Sequence, residues 1–433
     1  MSQQQPEAYV LPPVARARAS VLGLRDFRLL WIGQTVSAVG DQIFPIAVAL
    51  KIITSGGRPA DLGLVLMGRS LGMVLFLTVG GVYADRLPRT RIMIGSDLLR
   101  FVAVAGLAMT PGDVPLWVLV ALTFGVGGGE AFFRPAYGAV VPSVVPKDRL
   151  TNANALTSVS LKTSMLLGPA LGAAVVGIGG ARWALGIDAA TFLVSMLTLL
   201  RIAEPPLAAR GERKSGIHEA LEGVRAVRER PWVAAILVMA TLHLMLAVAP
   251  MVVLQPFIAV ERLGGRSAYA AIVTVYAAGG LVGALLCTRF KPRHPGLWAL
   301  AGLLPHTPLL IALGYSRSFW LVAGLSFVSG IGLEPFQIWW SSALQREIPP
   351  ELLARVISLD WLMSLGLLPV GQALAGPAAE AFGRPAVMAV AAGVMLVTSI
   401  AVMPVPGVAE FRTPPGPPSY RPRLRPASAR PKP

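Results

Sequence analysis

The chain has 433 residues, 54% of them hydrophobic and only 14% charged, with a mean hydropathy of +0.64, a balance that excludes an ordinary soluble globular domain. A formal net charge of +16 would suggest nucleic acid in a soluble protein, but in an apolar chain the first question is which membrane face carries it, and no nucleic-acid partner is expected. Cys287 is the only cysteine and the four histidines are scattered, so no intramolecular disulfide, metal site or cofactor is expected.

Residues 1–28 carry Pro and Arg without an apolar core and read as a cytoplasmic N-tail, not a cleaved signal peptide. Long apolar runs then begin near Leu29, Leu62, Ile92, Pro115, Ala155, Trp183, Trp232, Ser267, Pro295, Phe319, Ala354 and Arg384. Each is about long enough to cross a hydrocarbon core of roughly 30 Å, which predicts an all-α integral membrane protein of twelve spans. Pro135 and Pro335 interrupt spans 4 and 10, as membrane helices tolerate. Residues 203–231 form a linker whose apolar positions 217, 221, 224 and 227 predict a helix lying on the membrane surface. The basic, Pro-rich tail 405–433 has no means of burying a core and is expected to be disordered.

Lys and Arg set the orientation. With the N-terminus inside, 27 of the 38 fall on inside segments and seven outside, so both termini are expected in the cytoplasm and the protein in the plasma membrane. The remaining four, Arg69, Arg100, Arg134 and Lys162, lie inside spans of the first half. The chain also repeats with an offset of about 203 residues: Val145-Pro146-Lys147-Asp148-Arg149-Leu150 answers to Ile348-Pro349-Pro350-Glu351-Leu352-Leu353, and Glu130 to Glu334 with a one-residue slip. The spans thus divide into a first bundle, 29–202, and a second, 232–404.

A charged hairpin between spans 2 and 3, Gly81 to Arg91, has the spelling G-x-x-x-D-R-x-x-R and resembles the signature loop of the major facilitator superfamily, with Pro88 where a second Gly is usual. The resemblance covers about residues 24 to 404 and implies that family's fold of two pseudo-symmetric six-helix bundles. It also implies a conformational latch of Gly81, Asp85, Arg86, Arg89 and Arg91 with Glu130, Arg134 and the first turn of span 11, where Arg355 would meet Asp85. Glu130 and Arg134, four apart, read equally well as a plain intrahelical pair. Gly168, Pro169 and Gly172 in span 5 resemble the family's antiporter motif, with Ala173 in place of the closing Gly, and close helix packing explains them as well. The run Phe132-Phe133-Arg134-Pro135-Ala136-Tyr137 and the later Leu150-Thr151-Asn152-Ala153-Asn154-Ala155-Leu156 resemble bacterial drug and siderophore exporters of the macrolide-efflux and enterobactin-exporter type.

Ionisable groups inside a span are costly and are paired or face water. Asp41, near the middle of span 1, is a candidate for proton coupling, its alternative being a salt bridge to a cation on span 2 or 4. Glu130, His243 at the matching place in span 7, and Asp360 are further candidates, with a hydrogen-bonded histidine as the plainer reading of His243. Asp97 and Arg100 lie three apart and read as a pair supporting the hairpin. Gln42, Glu334, Gln337 and Trp340 are the candidate cavity residues, an interfacial aromatic belt being the other reading of Trp340. No Walker A, G-x-S-x-G or H-E-x-x-H spelling is present, so no enzyme activity is expected. The expected function is a monomeric, proton-coupled antiporter exporting a small apolar or amphiphilic compound. A symporter importing a metabolite and a non-transporting membrane sensor remain open alternatives.

Overall fold

The computed structural model describes residues 20–204 and 216–412, and among these it is helical with no strand. In chain order the helices are α1 (Arg25–Thr54), α2 (Pro59–Arg86), α3 (Arg89–Met109), α4 (Leu116–Val144), α5 (Leu150–Leu199), α6 (Gly216–Arg228), α7 (Pro231–His243), α8 (Ala249–Arg262), α9 (Arg266–Arg289), α10 (Pro295–Leu303), α11 (His306–Tyr315), α12 (Phe319–Glu347), α13 (Pro350–Gly366), α14 (Leu368–Phe382) and α15 (Arg384–Val402). A π-helical turn, Leu244–Val248, joins α7 to α8 in one long rod. Pro59, Pro231, Pro295 and Pro350 fix the backbone at the first turn of their helices, and at Pro59 and Pro350 the helix thereby begins a few residues before the apolar run.

Eleven stretches among the described residues are long and apolar enough to cross a membrane, where twelve separate ones were expected. The difference lies in α5, where Gly180 adopts φ 77°, a left-handed conformation open to a residue without Cβ. The chain reverses there. Along α1, Trp31 meets Ser160 and bare Gly168 meets Gln42, so the first arm runs parallel to it; Gly33 meets Thr198 and Gly40 meets Asp188, so the second arm runs antiparallel.

Spans alternate in direction, so α1 starts and α15 ends on one face of the bundle, here called the near end. In the first half α2 lies on α4, and in the second α9 lies on α12. Both contacts are made backbone to backbone. A Cβ at Gly72 would stand 2.2 Å from the Phe124 carbonyl oxygen and one at Gly279 2.1 Å from that of Phe327; Gly127 and Gly330 approach Arg69 and Tyr276 in the same way. Phe124 and Phe327, like Gly127 and Gly330, are 203 residues apart, so the offset read from the sequence reappears as a packing relationship.

The cores divide unevenly. At the far end one continuous cluster joins Ile43, Leu50 and Phe192 of the first half to Leu254, Phe257 and Leu310 of the second. At the near end each half has its own: Phe27, Met93, Phe133 and Leu199 in the first, Trp232, Ile236, Trp340 and Phe411 in the second. The halves are therefore sealed together at the far end and separately packed at the near end.

Two segments outside the bundles depart from expectation. Helix α6 does not lie free on a surface: its bare Gly223 sits against Arg355 of α13, and Ala226 and Val227 are buried in the near-end core. The chain after α15 folds back as far as residue 412, with Phe411 fully buried between Trp232 and Trp340 at centroid distances of 6.0 and 5.9 Å. The basic stretch 413–433, expected to be disordered, lies outside the described residues.

Candidate functional site

The charges that the sequence places inside the first half converge on two centres. In the first, Arg100 of α3 is 3% exposed and binds Asp97 one turn before it, while its Nη1 stands 3.5 Å from Asp41 Oδ1 on α1. The guanidinium lies 4.4 Å from the ring centroids of both Phe133 and Phe192, which hold it in place and screen it from water. Ser195 donates to the other Asp97 oxygen at 2.6 Å and accepts from Gln34 at 2.9 Å. Asp188, on the second arm of α5, is fully buried and neither of its carboxyl oxygens has a hydrogen-bond partner. It fits because Gly40 is bare: a Cβ there would stand 2.5 Å from Asp188 Oδ1. Asp41 keeps 35% of its side chain exposed. Its cation comes from span 3, whereas the sequence offered spans 2 and 4.

In the second centre Glu130 of α4 sits between Arg69 of α2, at 3.1 Å, and Arg134 one turn on. The intrahelical pair is thus present, and Glu130's other partner is Arg69, which was not among the expected latch residues. Arg69 lies 5.0 Å from the Phe44 ring centroid, and Arg134 lies 5.7 Å from that of Trp361, on α13 in the other half. A third contact crosses the halves directly: Lys162 Nζ on the first arm of α5 is 2.6 Å from Glu334 Oε2 on α12.

The side chains of Asp85 and Arg86, and Gly81 with them, lie outside the described residues. The backbone N–H groups of Arg89 and Thr90, at the start of α3, donate to the Glu204 carboxylate at 3.1 and 2.9 Å, and the Thr90 hydroxyl donates at 2.8 Å. A carboxylate there satisfies orphan donors and the helix dipole together. Arg91 is exposed on the same turn. Arg355, expected opposite Asp85, pairs with Glu222 of α6.

His243 is 6% exposed and shares a 2.6 Å hydrogen bond with Thr398 of α15. Asp360 accepts from Trp340 Nε1 at 3.4 Å, and Trp340 itself is 4% exposed inside the near-end core of the second half. Gln337 is exposed one turn from Glu334, and Gln42 is half-buried against Gly168. Gly168 and Gly172 let α5 approach Gln42 and Ile43 closely, with Pro169 buried between them. A crevice of about 470 Å³ lies at the far end, between Ala170, Ala173 and Ala174 of α5 and Ala270, Ala271 and Thr274 of α9. None of the charged groups of the network lines it.

The sequence marks Arg69, Arg100, Lys162 and Asp188 as ionisable groups within spans but does not pair Asp41 with Arg100, Glu130 with Arg69 or Glu334 with Lys162, and it gives no sign of Glu204. The signal for the three cations lay in their confinement, with Arg134, to spans of the first half.

A multi-pass helical membrane protein with charged groups gathered where two packed halves meet is a transporter in class, and not an enzyme. The chain belongs to the Major Facilitator Superfamily, whose model matches residues 30–368. Macrolide efflux protein A of Streptococcus pyogenes is 27% identical over 380 residues, covering 82% of this chain and 90% of that protein. Enterobactin exporter EntS of Citrobacter koseri is 25% identical over 418 residues, covering 92% and 95%. Among solved structures, a bacterial homolog of the human lysosomal transporter Spinster, inward-facing and unoccupied, superposes with a TM-score of 0.62 at 19% identity, covering 89% of this chain and 95% of that one.

Proposed function

We propose that this protein is a proton-coupled exporter of a small apolar or amphiphilic compound, working as a monomer by alternating access in the plasma membrane. The observation that carries the reading is the uneven seam: one shared core at the far end, two separate cores at the near end. Bundles 29–202 and 232–404, joined by the linker 203–231, would rock about that seam. With both termini in the cytoplasm, as the Lys and Arg distribution implies, the near end faces inward and the geometry is that of an inward-open state. Relatives whose names describe macrolide efflux and enterobactin export support the outward direction.

Proton coupling is supported by the ratio of charges. Arg100 is one cation shared by Asp41 and Asp97, with the unpartnered Asp188 beside them. A surplus of carboxylates over cations in an apolar bundle is met most cheaply by a bound proton. Asp41, the one of the three that keeps a third of its side chain exposed, is the group that exchanges it. Glu130, His243 and Asp360 are secondary candidates, each already held by a partner. A proton entering down a potential of 100 mV supplies about 2.3 kcal/mol, enough to drive a modest accumulation.

The test uses inside-out membrane vesicles with an acidic lumen and a pH-sensitive dye, challenged with antibiotics, siderophores and lipophilic cations. A compound should release protons from vesicles holding the native protein but not from those holding Asp41→Asn. Release from both moves the proton site elsewhere, and binding without any release overturns proton-coupled export.

A further inference from the structure

The other ion pairs described inside the membrane layer each lie within one half: Asp41 and Asp97 with Arg100, Glu130 with Arg69 and Arg134, and Arg134 reaches the other half only through the uncharged Trp361 ring. Lys162 and Glu334 are different, because their 2.6 Å contact runs from α5 to α12 across the seam. Motion of one half against the other pulls on this pair before any other in the network.

Its two members are unequal. Glu334 is 17% exposed and its stem lies against bare Gly280 of α9, where a Cβ would stand 3.2 Å from Glu334 Cγ. Lys162 is 41% exposed on a flexible four-carbon stem, a compact point charge that swings towards water at low cost. When the pair parts, the lysine is solvated and the glutamate is stranded. A half-buried carboxylate that loses its cation is left partly desolvated and unpaired, which favours a second cation in the place of the Lys162 ammonium. Apolar side chains are exposed nearby along both helices: Leu161 and Met165 within a turn of Lys162, and Ile338 one turn from Glu334.

We propose that Glu334 is the recognition site for a protonated amine on a lipophilic transported compound, and that Lys162 is the resident ammonium which that amine displaces. The proposal rests on the transporter reading of the same seam and narrows its substrate to lipophilic amines. The amine replaces Lys162 one for one, so Glu334 stays paired while the tie between the halves is released. The apolar body of the compound lies along Leu161, Met165 and Ile338.

The test uses the purified full chain in lipid nanodiscs and two matched fluorescent probes, monodansylcadaverine and the same molecule with its amine acetylated. The native protein should bind the amine more tightly by about tenfold or more, the ordinary worth of a charge-assisted hydrogen bond. Glu334→Gln should erase that preference and leave the acetylated probe unchanged. Lys162→Met removes the competitor and should tighten amine binding, an outcome that a misfolded variant cannot produce. Amine preference surviving in Glu334→Gln, or amine binding weakened in Lys162→Met, overturns the proposal. If the native protein shows no amine preference while neutral compounds still release protons in the vesicle assay, the amine site is wrong and proton-coupled transport stands.

Discussion

Gly376 of α14 and Ala60 of α2 meet backbone to backbone across the seam: a Cβ on Gly376 would stand 2.2 Å from the Ala60 Cα. Beside them, at the same far end, Arg58 and Glu380 pair at 3.6 Å with both side chains largely exposed. The seal there is thus made by close packing, the exposed pair adding little. Gly376→Val should force the far end apart, because overpacking a tight contact costs about 1–3 kcal/mol and shifts the two-state ratio by roughly ten- to a hundredfold. Spin labels at positions 58 and 380 report it. A short distance should dominate in the native background and a longer one in Gly376→Val, with transport lost in parallel.

Glu204 caps α3 by accepting from two backbone N–H groups and one hydroxyl. Glu204→Ala removes both acceptor oxygens, and with them all three hydrogen bonds, and should cost about 1 kcal/mol, in line with other helix caps. Glu204→Gln keeps an acceptor oxygen and should cost less. Thermal unfolding in detergent, followed by the fluorescence of the tryptophans, ranks the two; equal midpoints for the alanine variant and the native protein would show that the cap contributes nothing.

Phe411 closes the near end of the second half. It is fully buried against Trp232 and Trp340, its carbonyl accepts from Arg346 at 3.2 Å, and the neighbouring Ala409 carbonyl accepts from Gly296 at 2.9 Å. Phe411→Ala should destabilise the second half by about 3–5 kcal/mol, the usual loss for a buried phenylalanine. Limited proteolysis should cut the 203–231 linker and the second bundle earlier than in the native protein, while cleavage within α1 to α5 keeps its native rate.

The helices were legible because each is an apolar run ended by Arg, Pro or Gly, so starts at Trp232, Phe319 and Arg384 fall within a residue of the observed ones. The internal repeat was legible for the same reason, the Glu130 and Glu334 correspondence reflecting two copies of one packing scheme. Partners were not. Lys162 and Glu334 are 172 residues apart, and only the assembled seam brings them together. Asp41 could be expected to seek a cation, but which span supplied it depends on the order in which helices pack around α1, a property that periodicity does not carry. Phe411 was missed because its surroundings are rich in Pro and Arg, and a short apolar turn that docks on a preformed core leaves no periodic trace.

Arg100, shared by Asp41 and Asp97 and 3% exposed, sets the last prediction. Arg100→Gln strands Asp97, whose own side chain is fully buried, and breaking a buried pair in this way costs about 3–5 kcal/mol. The variant should express poorly and unfold early. Adding Asp97→Asn removes the stranded charge, and an asparagine still accepts from Ser195, so the double variant should recover folding and give a near-native elution profile in size-exclusion chromatography. What it should not recover is coupling. Without Arg100, Asp41 loses the one ion-pair partner described for it, and compound addition should no longer release protons from acid-loaded vesicles. Recovery of proton release along with folding would show that Arg100 only supports α3, and would move the coupling site away from Asp41.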